Sequence, residues 1–116
     1  MQVQLNTDRH IEAHDELAQQ VEAVIEGTVG RFADRITRVE VHLSDENSHK
    51  GGGNDKRCLL EARLAGLQPI AVSHQAATLP QAIDGAAKKL ARAIESTLGQ
   101  LGSKKGRLSS GGDQTS

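Results

Sequence analysis

The sequence predicts an α+β domain of order β-α-β-β-β-α, a four-stranded, mostly antiparallel sheet with two helices packed on one face. Three observations carry this reading. Two long segments repeat apolar residues at steps of three and four, the period of a helix with one buried face. Four short segments alternate apolar with polar residues, as strands buried on one side do. Aromatic content is 1%, all of it Phe32, so the core must be built from Val, Ile, Leu and Ala. Such a core is thin, which suits a sheet covered on a single face.

The elements follow in chain order. Met1 to Leu5 is a short first strand, with Val3 and Leu5 on one face and Gln2 and Gln4 on the other. The first helix runs from His14 or Asp15 to about Ala33 on a stripe of Leu17, Val21, Val24, Ile25, Val29 and Phe32. Asp15 and Glu16 oppose the positive end of its dipole. Gly27 and Gly30 each weaken it by roughly 1 kcal/mol relative to Ala, so its last turn is expected to be loose or bent. Ile36 to Ser44 is the clearest strand: Val39, Val41 and Leu43 face in, and Arg38, Glu40, His42 and Ser44 face out. Residues 45–55 form a polar, Gly-rich loop.

Lys56 to Leu64 is the next strand, with Cys58, Leu60, Ala62 and Leu64 inward. Ala65-Gly66-Leu67 turns the chain into the last strand, Gln68 to His74, whose Ile70 and Val72 face in. Pro69 lacks an amide donor and belongs at its start or on an edge. Thr78 opens the second helix, and Gln81 three residues on completes a capping box. The stripe Leu79, Ile83, Ala86, Leu90, Ile94, Leu98 and Leu101 follows, and Gly102 closes the helix. Residues 1–101 therefore form one domain. Residues 102–116 form a flexible tail, basic at Lys104, Lys105 and Arg107 and then rich in Ser and Gly.

Composition excludes several classes of function. The formal net charge of -1 gives the whole molecule no strong pull on nucleic acid, so any such binding must come from local clusters. One cysteine, Cys58, allows no internal disulfide and fits a reducing cytoplasm. No apolar run reaches the length of a signal peptide or a membrane span. Five histidines, at positions 10, 14, 42, 49 and 74, show no metal-ligand spacing with the lone thiol and read as solvated. Gly51-Gly52-Gly53 lacks the Lys-Ser/Thr ending of a phosphate loop and precedes a strand, so it reads as a linker. The acidic residues of the first helix offer no paired acid and base. The expectation is a non-enzymatic protein without cofactor or metal.

One feature points to a partner. Lys88 and Arg92 lie opposite the apolar stripe of the second helix, at ~100° per residue, and Lys89 lies at its flank. An ordinary solvated face explains them equally well, with Asp84–Lys88 and Arg92–Glu95 as intrahelical ion pairs. Arg31, Arg35 and Arg38 around the end of the first helix make a second basic group, and the tail makes a third. Three such clusters in a near-neutral chain favour RNA. The lack of aromatics disfavours stacking on unpaired bases, leaving phosphates and shape to be recognised.

Residues 31–44, Arg-Phe-Ala-Asp-Arg-Ile-Thr-Arg-Val-Glu-Val-His-Leu-Ser, resemble a helix-to-strand junction. It is that of the ribosome hibernation-promoting factor and ribosome-associated inhibitor family, the sigma-factor modulation proteins. Residues 82–92, Ala-Ile-Asp-Gly-Ala-Ala-Lys-Lys-Leu-Ala-Arg, are similar to its second-helix signature, and Met1-Gln2-Val3-Gln4-Leu5 to its start. The resemblance covers residues 1–101. Leu79-Pro80-Gln81 stands where the family often has an aromatic, and acidic Asp45-Glu46 follows where a basic run is usual.

The resemblance implies a short-form cytoplasmic factor that binds the small ribosomal subunit in the messenger and transfer RNA channel. There it would hold ribosomes inactive under stress. Lys88, Lys89 and Arg92 would contact ribosomal RNA phosphates, with Arg31, Arg35 and Arg38 beside them. Two other readings stay open: a general double-stranded RNA binder, whose fold the sheet and two helices are like, and a weakly homodimeric protein-interaction module without RNA.

Overall fold

Alternation along each strand becomes rows across a sheet. The computed structural model describes residues 1–9, 11–46 and 55–106, with side chains as far as Leu101. His10, His49, the 51–53 glycines and Arg107 lie outside the described residues, as do the side chains of Lys104 and Lys105. Strands β1 (Gln2–Thr7), β2 (Ile36–Asp45), β3 (Lys56–Leu64) and β4 (Ile70–Ala76) form one sheet in that order. β1 is parallel to β2, and the other two pairings are antiparallel. This is the expected β-α-β-β-β-α architecture.

Register builds a continuous apolar face. Val3, Val39, Ala62 and Ile70 form one row, Leu5, Val41, Leu60 and Val72 the next, and Leu43, Cys58 and His74 a third. The alternation slips once. A bulge between Ile36 and Arg38 lets Ile36 and Val39 both face the core although they are an odd number of positions, three, apart. Thr37 sits at that bulge, and its hydroxyl donates to the Arg63 carbonyl at 2.9 Å. Gly66, at φ 77°, makes the turn between β3 and β4, where a side chain would be strained. β4 begins two residues later than the sequence predicts and runs to the buried Ala76, and Pro69 precedes it.

Helix α1 (Asp15–Val29) buries Leu17, Val21, Ile25 and Val29 on the apolar face. Its end departs from α geometry as expected, in a single 3-10 turn at Gly30–Phe32. Helix α2 (Leu79–Gly106) buries Ala82, Ile83, Ala86, Ala87, Leu90, Ala91 and Ile94 beside it. The helix continues through Gly102 rather than ending there. Glycine closes a helix when a following apolar contact locks the left-handed turn, and Ser103-Lys104 offers none. Leu101 is 37% exposed, so the buried part of the apolar stripe ends at the half-buried Leu98.

The histidines are not simply solvated. His14 caps α1: the Leu17 N–H donates to its Nδ1 at 3.1 Å. His74 is half-buried and lies against Gly85 of α2, filling the space a Cβ there would need. A small residue at position 85 thus sets how closely α2 rides over β4.

Candidate nucleic-acid interface

The outer face of α2 is defined by what its inner face buries. With Ala87, Leu90, Ala91 and Ile94 turned to the sheet, Lys88, Lys89 and Arg92 emerge on the solvent side, all exposed. Thr78 holds the helix start, its hydroxyl accepting the Gln81 N–H at 3.3 Å. The three cations differ in how they are held. Lys88 pairs with Asp84 one turn back, Nζ to Oδ2 at 3.0 Å, with both side chains more than half exposed. Lys89 leans over the edge strand, and its Nζ donates to the Ser73 carbonyl at 3.0 Å. That bond covers an edge carbonyl of β4, an added structural task. Arg92 has no ion-pair partner among the described residues, and the expected pair with Glu95 does not form.

Glu95 is engaged elsewhere. It meets Arg31 of the 3-10 turn at 3.7 Å, and the Arg31 guanidinium lies 4.7 Å from the centre of the Phe32 ring. Tertiary packing thereby brings Arg31 to the α2 ridge. Arg35 is exposed at the junction before β2, and its carbonyl accepts the Ala65 N–H. Arg38 departs from this group. It stands on the opposite, helix-free face of the sheet, bound to Glu40 at 2.7 Å. Its Nε is buried without a hydrogen-bond partner among the described residues. The six sequence-selected residues therefore divide into an α2-side ridge of Lys88, Lys89, Arg92 and Arg31, an isolated Arg35, and Arg38 on the other face.

The open sheet face carries charge as well. Arg63 lies opposite Arg38, Glu61 opposite Glu40, and Arg57 opposite Ser44. Glu40 also approaches His42 at 3.6 Å, and Arg63 approaches Glu61 at 3.9 Å. Outward alternation along β3 marks Arg57 and Arg63 in the sequence, but only register reveals the cross-strand rows. At the far end of the sheet, Lys56 is bonded to the buried Asp55 at 3.0 Å and lies 3.5 Å from Asp45. The hydrogen bond to Asp55 is the main reason its pKa is raised. This cation is committed to the fold.

Among the described residues no group of three or more His, Cys, Asp or Glu could hold a metal, and no helix is long and apolar enough to cross a membrane. Cys58 is fully buried, and burial pushes its thiol up to about 12, far from a reactive thiolate.

Solved structures share the architecture. The fold is similar to the Thermus thermophilus Protein Y N-terminal domain, with a TM-score of 0.68 and 24% identity, over 84% of this chain and 99% of that one. It is also similar to a ribosomal subunit interface protein from Coxiella burnetii, with a TM-score of 0.70 and 13% identity, over 85% of this chain and 99% of that one. No curated protein matches the sequence significantly. The family described as "Sigma 54 modulation protein / S30EA ribosomal protein" matches residues 6–101, and the chain belongs to that family.

Proposed function

We propose that this protein binds the small ribosomal subunit in the messenger and transfer RNA channel and holds idle ribosomes inactive in the cytoplasm. Its family is one of non-enzymatic, ribosome-associated factors, and one structural neighbour is named a ribosomal subunit interface protein. The observation that carries the reading is the exposed ridge of Lys88, Lys89 and Arg92 on a helix whose other face is locked into the core. Helix packing fixes the spacing of these cations, so they form a preorganised surface for phosphates. Arg31 extends the ridge, and Arg35 adds an exposed cation at the junction before β2. Arg38, with Arg57 and Arg63, places cations on the opposite face, as suits a partner that encloses the domain. Recognition runs through phosphates and shape, since Phe32 is the only aromatic and is half-buried.

Sedimentation through a sucrose gradient tests this. The wild-type protein is expected to travel with small subunits, less so as salt rises, because phosphate contacts release counterions. Replacing Lys88, Lys89 and Arg92 together with Glu should abolish the association and leave the circular dichroism spectrum unchanged. Unaltered co-sedimentation of that variant overturns the site.

A further inference from the structure

Resting on the ribosomal RNA reading of the α2 ridge, we infer that Asp84 and Glu95 are its selectivity determinants, internal anions that keep it from binding RNA indiscriminately. Each acid occupies a cation the ridge would otherwise offer. Asp84 holds Lys88 at 3.0 Å, and Glu95 reaches across from α2 to Arg31 at 3.7 Å. Both carboxylates are exposed on the same side of the molecule as the cations, with side-chain exposures of 52% and 68%. Neither carboxylate neutralises a buried charge, so removing either leaves the core intact.

Their effect on an RNA follows from their position. A phosphate approaching Lys88 or Arg31 must share the cation with a carboxylate already beside it and tolerate that negative charge. An RNA not shaped to the ridge, a plain duplex included, meets only one or two of the cations at a time and gains little against the repulsion. A rigid surface that presents phosphates to Lys88, Arg92 and Arg31 together, and leaves space at Asp84 and Glu95, keeps the gain without the repulsion. Discrimination by a repulsive element is a general route to specificity. It also accords with a formal net charge of -1 in a chain whose partner is a polyanion.

The experiment pairs Asp84→Asn with Glu95→Gln in the full chain. It measures dissociation constants for a plain RNA duplex of about twenty base pairs and for purified small subunits, each at several salt concentrations. The expected result is a rise of roughly tenfold in duplex affinity, with a steeper salt dependence, and a smaller change for the small subunit. Selectivity falls as a result. Unchanged duplex affinity, or equal gains for both partners, overturns the inference. A loss of affinity for both shows that the acids position the cations, and overturns it too. Wild-type protein that fails to bind small subunits overturns the reading of the ridge itself. Wild-type binding with unaltered selectivity in the variant overturns only the role of the two acids.

Discussion

Gly85 and His74 show how one side chain sets the distance between a helix and a strand. The His74 ring fills the space above Gly85, so adding a methyl group there forces the ring or the helix to move. Gly85→Ala should therefore destabilise the protein by about 1–2 kcal/mol in urea denaturation, although alanine is intrinsically the better helix former. In a His74→Ala background the sign should reverse, with alanine stabilising by up to ~1 kcal/mol. Cys58 gives a second prediction. Its thiol is raised from 9.0 to about 12 in the folded chain, so between those values the unfolded state is ionised and the folded state is not. Unfolding then releases a proton, and stability falls by about 1.4 kcal/mol per pH unit above pH 9. Cys58→Ala should flatten that alkaline slope, and thiol reagents should label Cys58 only after unfolding.

Among the elements, strand interiors and helix stripes follow the sequence closely, and the ends do not. β3 spans the expected residues, because alternation from Cys58 to Leu64 is unbroken and a glycine turn follows. The first residues of β2 were less legible: a bulge shifts parity at Thr37, and no local pattern announces it. α2 outruns its expected end because Ser103-Lys104, which follow Gly102, include no apolar residue to lock a left-handed stop. Helix starts are clearer, since each carries a side-chain acceptor for a free N–H. Thr78→Ala should cost about 1 kcal/mol of stability and His14→Ala about 0.5–1 kcal/mol. Aspartate at position 14 should restore the cap and add a favourable interaction with the helix dipole. Thermal melts of the three variants check the order.

For the whole molecule, the question is whether the partner touches one side or two. Charges lie on the outer face of α2 and on the helix-free face of the sheet, with the core between them. A domain seated in a channel is contacted from both sides. Reversing Arg57 and Arg63 to Glu should accordingly weaken co-sedimentation with small subunits, though less than reversing the α2 ridge, because Glu61 and Glu40 already temper that face. Full retention of binding would confine the partner to the helical side and remove the channel placement.

Periodicity, alternation and turn chemistry in the sequence determined the order of elements, the inward residues apart from Ile36 and Leu101, and the exposure of Lys88 and Arg92. Each depends on neighbours within one or two helical turns or one strand. The family resemblance at residues 31–44 and 82–92 also lay in the linear chain. Tertiary structure alone decided which cations stand together. It drew Arg31 to Glu95 on α2, turned Lys89 onto the Ser73 carbonyl, placed Arg38 on the far face and packed His74 against Gly85. The physical reason is range. Side-chain direction is local, but the partner a side chain meets is set by sheet register and helix packing, which join residues far apart in sequence.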